Sequence, residues 1–386
     1  MFRLEIKRLL KTRSTIVLAA LALAASVFFA VNFVLDDGKS VESRAYLPYT
    51  NGLEAIAYLK GIFEDMGGYV TPERIEEMSR FCDEALSTYQ SFDAMPEDVF
   101  DRYVANMEVL SRVSYGDSDY YQRRNESIEY TASQVPNEAV AEAAAELNSH
   151  VDEPFYWEYG FGSSDVGQTW NICLFVLCLI ATVIAAPVFS QAYATGEDGI
   201  LRCSKYGRGR LARTKILAVY SFCTALFLIC AAVFSGILLL AFGPDRSSAQ
   251  LKISQHVLIN LNMNEALALF ILSGLLTMLA SISLTMWLSS MQANTVMVLV
   301  ISAAALALPM FADHYLDYPV ADWVRLLLPG GGTGLQNGMY YELSNLRFLA
   351  IGSFAIWTPF VMLAVPVVET PVFALLTRQT YIKHEA

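Results

Sequence analysis

The chain has 386 residues, of which 55% are hydrophobic and only 17% are charged, and its mean hydropathy is +0.40. This composition excludes an intrinsically disordered chain and a nucleic-acid-binding protein, because both carry more charge and fewer apolar residues. The formal charge is −12, yet the apolar residues are gathered in blocks long enough to cross a bilayer. The sequence therefore predicts an all-α membrane protein.

Six segments are predicted to be transmembrane helices, because each has the roughly 20 mostly apolar residues that a bilayer requires. None contains a lysine or arginine, and the acids inside them are Glu265 and Glu369. A base at the centre of a span costs about 2.5–3.5 kcal/mol, so this pattern is informative. The predicted spans are about 15–35, 166–190, 216–242, 263–288, 295–311 and 349–376.

The basic residues predict which ends of the spans face the cytoplasm. With the N-terminus inside, the four inner segments hold 13 lysines and arginines in 55 residues, whereas the two short outer loops hold 4 in 57. Such an excess is typical of cytoplasmic loops. We therefore expect both termini in the cytoplasm and residues 36–165, the insert, outside the cell. The first span is too long for the apolar part of a cleaved signal peptide, which has about 7–15 residues.

The predicted organisation has three parts: residues 1–35 with the first span, the insert, and residues 166–386 with the remaining spans and an inner loop at 191–215. Helix signals dominate the insert, with starts at Thr71-Pro72, near Met95 and at Asn137. The insert is predicted to be a small helical lid on the outer membrane face. A domain that binds a peptide, a lipid or a partner is the alternative.

The N-terminal residues have the pattern of a helix that lies in the membrane interface. Phe2, Ile6, Leu9 and Leu10 fall on one helical face, and most of the bases lie on the other. Such a helix buries its apolar face while its cations meet anionic headgroups. A basic flank that only orients the first span is the alternative.

The inner loop carries the most informative pattern. Glu197, Asp198, Gly199, Ile200 and Leu201 precede a cluster of bases. A short helix is expected around 196–204, ended by the following glycines. A basic membrane anchor explains the bases, but it does not explain the acidic, glycine-containing and apolar head of the loop.

This loop resembles that of the permease subunits of ABC-2 class ABC transporters, especially those of Gram-positive bacteria. The matching positions are Glu197, Gly199, Leu201, the Lys-Tyr-Gly-Arg turn at 205–208 and Lys215. In that family the loop is the coupling helix, which docks into a cleft of a separate ATPase, and the N-terminal helix is an elbow helix. The resemblance also covers the six spans, the inner termini and a large outer insert, whose own sequence matches no pattern.

The resemblance implies a multi-pass permease in the bacterial plasma membrane that exports a substrate together with a second permease, identical or similar. ATP and Mg would bind to the partner ATPase, because this chain has no Walker motif. No cofactor, metal site, catalytic constellation or nucleic acid partner is predicted for the chain itself. The alternative is a membrane sensor or immunity protein whose insert binds an extracellular peptide.

Two further features concern the membrane. Glu369 lies between Pro366 and Pro371, which are expected to kink the last span. Snorkelling or pairing with a cytoplasmic base is favoured for this carboxylate, and a place on the pathway or at a subunit contact is the alternative. The glycine run at 329–334 lacks the Lys-Ser/Thr of a phosphate loop. It is interpreted as a flexible break after an amphipathic segment that can dip into the outer leaflet.

Overall fold

The computed structural model describes residues 1–37, 52–113, 118–162, 164–203, 207–316, 320–333 and 337–383, and helices make up most of them. The helices are α1 (Phe2–Lys11), α2 (Arg13–Asp37), α3 (Gly52–Ile62), α4 (Pro72–Tyr89), α5 (Glu97–Arg112), α6 (Tyr120–Ser133), α7 (Glu138–Ser149), α8 (Ser164–Ala185), α9 (Pro187–Ala194), α10 (Glu197–Arg202), α11 (Gly209–Phe242), α12 (Ala249–Lys252), α13 (Met263–Met291), α14 (Thr295–Tyr315), α15 (Val320–Leu326), α16 (Met339–Ser344) and α17 (Thr358–Lys383). The antiparallel strand pairs are β1 (Gly68–Tyr69) with β2 (Tyr156–Trp157), and β3 (Phe348–Ile351) with β4 (Phe354–Trp357).

Six helical segments of the described chain are long and apolar enough to cross a membrane. They are α2, α8 continued by α9, α11, α13, α14 and α17. The prediction of an all-α, multi-pass membrane protein is therefore confirmed. The helix α13 is central to the bundle, since it packs against α8, α14 and α17, while α2 packs against α8 and α11.

The last span begins later than the sequence predicts, at Thr358 rather than at residue 349. Residues 349–357 belong to the hairpin of β3 and β4, which turns at Gly352 with a left-handed φ of +61°. The hairpin is as apolar as a span and has no charge. Hydropathy alone therefore could not separate these strands from the first turns of the helix, and the predicted boundary is wrong for this reason.

Helices form in the insert where the sequence predicts them. The side chain of Thr71 accepts a hydrogen bond from the backbone N–H of Arg74 at 3.3 Å, and Pro72 opens α4. The helices α5 and α7 begin at Glu97 and Glu138, next to their predicted start signals. The described part of the insert is therefore mainly helical.

The insert is fastened to the loop between α11 and α13. Arg124 of α6 is buried and donates hydrogen bonds to the carbonyl oxygens of Gln255 and Val257, at 2.9 and 3.2 Å. The buried carboxylate of Asp245 accepts a hydrogen bond from the backbone N–H of Gly162 at 2.8 Å. Separation would break these buried hydrogen bonds, which is unfavourable because buried polar groups are normally hydrogen-bonded. The insert and this loop therefore form one connected unit.

Between α14 and α17 the chain folds back into the bundle. After α15 the glycine run is buried over residues 329–333. A Cβ on Gly332 would lie 2.1 Å from Oγ1 of Thr277, the central residue of α13. A Cβ on Gly330 would lie 2.9 Å from the Cα of Leu306, near the centre of α14. The run thus reaches the mid-level of two spans, where irregular backbone is tolerated only inside protein.

This packing corrects the interpretation of the run as a flexible break. Its glycines are needed because helix atoms approach the backbone too closely for a side chain. Thr333 is also buried, whereas Gly334, the last glycine of the run, lies outside the described residues. The run is therefore a tightly packed re-entrant loop over the residues that the structure describes.

A buried ion cluster joins the two short helices of this re-entrant segment. Arg325 of α15 pairs with Glu342 of α16 and with Asp322, whose Oδ1 lies 2.7 Å from its Nη2. Arg347 adds a second contact to Asp322 at 3.1 Å. The side chains of Arg325, Asp322 and Glu342 are at most 2% exposed. Removing one partner of a buried pair typically costs about 3–5 kcal/mol, so the cluster fixes α15 against α16.

We expect Gly332→Ala to destabilise the protein, because its methyl group would collide with the Thr277 hydroxyl. Overpacking of this kind typically costs about 1–3 kcal/mol. Adding Thr277→Ala removes the colliding oxygen and should restore part of the loss. Thermal unfolding of the purified protein in detergent measures both effects.

Gly236→Ala is the matched control, because no atom lies within 4 Å of a Cβ at Gly236 in α11. Alanine favours a helix by about 1 kcal/mol over glycine, so the control should melt at or above the wild-type temperature. A Gly332→Ala protein that melts with the wild type would contradict the close packing of the loop on α13.

Candidate functional site

The helices α9 and α10 lie on the side of the bundle that carries α1. Thr195 and Gly196 join them, and Gly196 adopts a left-handed φ of +71°. Glycine reaches this conformation at no steric cost, so the chain turns sharply between the two helices. The structure thus has a short helix at the predicted head of the loop. Lys205 and Tyr206 of the loop lie outside the described residues.

The five predicted residues of the loop all lie on α10, but they do not face the same way. Ile200 is 78% exposed and Leu201 is 36% exposed, and Glu197 is exposed as well. Apart from the backbone of α10 itself, no atom of the described residues lies within 4 Å of a Cβ placed on Gly199. Asp198, by contrast, is buried. We call the four accessible residues the α10 surface.

The second span is interrupted between α8 and α9, and Ser289 of α13 bridges the break. Its hydroxyl donates to the carbonyl oxygen of Ala186 at 2.6 Å. The Oγ of Ser289 in turn accepts hydrogen bonds from the backbone N–H groups of Phe189 and Ser190, at 3.1 and 3.0 Å. The first N–H groups of a helix have no partner within that helix. Ser289 therefore caps α9 from a neighbouring span, with its full hydrogen-bonding capacity in use.

Lys215 of α11 also contacts the first turn of α9, next to the break between α8 and α9. Its side chain is buried, and Nζ donates a hydrogen bond to the carbonyl oxygen of Val188 at 2.9 Å. Its charge also interacts with the carboxylates of Glu197 and Asp198 and with charged groups of α1. The buried ammonium group thus joins α11 to α9 by a hydrogen bond and is attracted by the carboxylates of α10 and by Glu5 of α1, whereas Arg8 of α1 repels it.

The helix α9 also contacts α14 and α17. Ser190 Oγ lies 2.7 Å from Oγ1 of Thr295 at the start of α14. The rings of Phe189 and Tyr193 pack against Tyr381 of α17, with ring centres 5.1 and 6.3 Å apart. Together with Ser289 and Lys215, these contacts join α9 to four spans besides its own. The helix α10 is therefore connected through α9 to most of the spans.

The expected apolar face of α1 is divided in the structure. Leu9 is buried and Ile6 is half-buried, in keeping with the packing of α1 against α2 and α11. Phe2 and Leu10 are 45% and 55% exposed. Half of the face therefore packs on the spans, and the other half is left for the surroundings.

Glu369 lies at the middle of α17, which continues as a helix through Pro366 and Pro371. The residue is half-buried, and its Oε2 is buried without a hydrogen-bond partner in the described part of the chain. None of the described bases pairs with it. The structure does not bring Glu369 to α10, which lies at the end of the bundle.

The described ranges contain no group of three or more His, Cys, Asp or Glu side chains placed to hold a metal ion. No protein-family model matches the chain, and no curated protein matches it. The contacts of α9 and α10 are therefore the observations on which a functional assignment depends.

Sequence reasoning identified α10 but missed the residues that connect it to the bundle. Pro187 was an available signal, because a proline inside an apolar run marks a broken helix. Ser289 and Tyr381 carried no such signal, since each is an ordinary residue that becomes important only when distant spans meet.

We expect Ser289→Ala to destabilise the joint between α8 and α9, because the N–H groups of Phe189 and Ser190 lose their hydroxyl partner, while the Ala186 carbonyl keeps its hydrogen bond from Ser190 Oγ. Each unsatisfied buried group costs about 1–3 kcal/mol. The melting temperature in detergent should fall, and hydrogen exchange of the first amides of α9 should become faster.

Ser290→Ala is the matched control. Ser290 is also buried, but its hydroxyl bonds only to the Trp287 carbonyl of its own helix, at 2.7 Å. Its loss should be smaller and should leave exchange in α9 unchanged. Equal melting and equal exchange for the two variants would refute the capping role of Ser289.

Proposed function

We propose that the chain is the membrane-spanning permease subunit of a bacterial ABC transporter of the ABC-2 class, which exports a substrate with energy from a separate ATPase subunit. The observation that carries this proposal is the position of α10. It is a short surface helix between the second and third spans, and α9 connects it to four others. Such a connection is what a coupling helix requires, because a movement imposed on α10 by an ATPase subunit would reach several spans.

The α10 surface has the chemistry of a docking element. Ile200 offers an apolar anchor, and Glu197 offers a charge for a basic group of the partner. The missing side chain at Gly199 lets a partner approach the helix closely. A few large side chains usually supply most of the energy of an interface, while charges set its orientation. We propose that a cleft of the ATPase receives this surface.

The proposed mechanism is mechanical, and this chain supplies no catalytic residue. ATP and Mg²⁺ bind to the ATPase subunits, whose closure pushes α10. The helix α9 then passes the motion to α11, α13, α14 and α17, which changes access to the pathway from one side of the membrane to the other. Lys215 and Ser289 keep α9 and α10 engaged with the spans during this motion.

This function places α10 and both termini in the cytoplasm and the insert outside the bacterial plasma membrane. The excess of bases around α1 and α10 supports this orientation. In this arrangement α1 is the elbow helix. Its exposed Phe2 and Leu10 meet lipid, while Ile6 and Leu9 pack on the first and third spans.

A second permease, identical or similar, completes the proposed pathway. Glu369 supports this, because a carboxyl oxygen without a partner at mid-span is unfavourable in lipid. Val367 and Val368 beside it are 55% and 63% exposed, so this stretch of α17 is open to a neighbour. A partner subunit or a water-filled pathway would solvate the carboxyl group.

A membrane sensor or immunity protein that binds an extracellular peptide through the insert is the second candidate. The hydrogen bonds of Arg124 favour it, because a ligand bound to the insert would act on the loop between α11 and α13. The candidates differ in one requirement. A permease needs an ATPase subunit at α10, whereas such a sensor does not.

We expect Gly199→Trp to abolish co-purification of the ATPase subunit and ATP-dependent activity. Because no described side chain or neighbouring element lies within 4 Å of a Cβ at this position, we expect the isolated chain to accept the substitution and a docked partner to be obstructed by the indole. Glu197→Lys should weaken the same contact by reversing its charge. Pull-down from native membranes and ATP hydrolysis by the reconstituted complex measure these effects.

Gly61→Trp is the matched control, because Gly61 of α3 is exposed and also has open space at its Cβ. It should leave both co-purification and ATP hydrolysis unchanged. The docking assignment fails if Gly199→Trp still assembles with an ATPase and supports its activity.

A further inference from the structure

The hairpin of β3 and β4 projects from the bundle at the start of the last span. Its residues, 348–357, carry no charge. At its base Phe348 and Trp357 are 1% exposed, whereas at its tip Ile351 and Phe354 are 66% and 62% exposed. Burial therefore falls from the base of the hairpin to its tip, which leaves two large apolar side chains uncovered.

The two faces of the hairpin differ in side-chain size. Ile351 pairs directly with Phe354, and the neighbouring pair is Ala350 with Ala355. Successive residues of a strand point to opposite faces, so the large pair and the alanine pair lie on different faces. The alanines are half-buried, whereas the large pair is exposed. One face of the tip is thus large, apolar and uncovered.

The insert already contacts this hairpin. The helix α7 packs against both strands, and Asn137 Nδ2, at its N-cap, donates a hydrogen bond to the carbonyl oxygen of Gly352 at 3.2 Å. The turn of the hairpin is therefore tied to the insert, while Ile351 and Phe354 remain exposed.

We propose that the tip of this hairpin inserts into the lipid leaflet on the insert side of the bundle and anchors the insert to the bilayer surface. Trp357 directly precedes Thr358, the first residue of a spanning helix, so the hairpin leaves the bundle at the level where that span meets the membrane boundary. Phe360, in the first turn of the helix, is 41% exposed and contacts the Trp357 ring. Trp357 itself is buried on the alanine face, so it is the exposed Phe360 that gives the start of the span an apolar surface beside the base of the hairpin.

The depth of the anchor follows from its backbone. A two-stranded sheet has outer edges whose N–H and C=O groups are not all paired within it, and hydrocarbon does not tolerate such edges. Aromatic and aliphatic side chains are also typical of the boundary between headgroups and acyl chains. The tip therefore lies shallow, with Ile351 and Phe354 among the upper acyl segments. This role does not depend on the transport function.

A fluorescent label at the tip tests the anchor. We use Ser353→Cys, an exposed turn residue, in a Cys203→Ser background, because Cys203 is the exposed cysteine of the described chain. Burial raises the pKa of Cys82 to about 11, so that thiol reacts slowly.

For the measurement, the full chain carries the environment-sensitive fluorophore NBD on the introduced cysteine and is reconstituted into phosphatidylcholine liposomes. Tyr130→Cys of α6, where Tyr130 is 68% exposed, provides the control label.

The label at Ser353 should emit further to the blue than the control, and lipids with a shallow spin label should quench it more than lipids with a deep one. Aqueous iodide, present on both sides, should quench the control strongly and the tip weakly. Strong iodide quenching at the tip would place it in water and overturn the proposal. Insensitivity to both quenchers would also overturn it, because the tip would then be covered by protein, such as a second copy of the chain.

Discussion

Every backbone N–H and C=O group inside a bilayer must find its partner within the protein, and this constraint shapes both irregular places in the bundle. Where Pro187 breaks the second span, the hydroxyl of Ser289 supplies the missing partners. Where the chain re-enters the bundle after α15, glycines let the loop pack against Thr277 and Leu306, so that protein surrounds its backbone. The same requirement keeps the β3–β4 hairpin shallow in our proposal.

The break in the second span gives the bundle a connected surface helix. With the break, α9 lies among four spans and α10 turns back at Gly196 to expose Ile200. Inside the protein, Lys215 donates a hydrogen bond to Val188 of α9, and its charge attracts the carboxylate of Asp198 in α10. A motor that gripped α10 would thus act on most of the bundle at once, which is why the permease function is preferred.

The sequence was sufficient to predict the presence of six spans and three of the helix starts in the insert, because these depend on local composition and capping, but it did not predict α3 and α6. Thr71 and Pro72 mark α4 without any tertiary information. Hydropathy failed at residues 349–357, since an uncharged hairpin and a spanning helix have the same composition. The charge cluster around Arg325 and the capping of α9 by Ser289 could not be predicted from the sequence for another reason. Their partners lie in other elements, and only the folded bundle brings them together.

The central claim is that a separate nucleotide-hydrolysing subunit holds α10 in the cytoplasm. Site-specific photo-crosslinking from Ile200, carried out in intact cells of the native host, tests this claim most directly. The account predicts a covalent adduct with a polypeptide that contains Walker motifs, identified by mass spectrometry, and no such adduct from the equally accessible Tyr130 in the insert. If Ile200 gives no adduct with such a polypeptide, or if a cysteine there reacts with a membrane-impermeant reagent added outside the cell, the claim is contradicted.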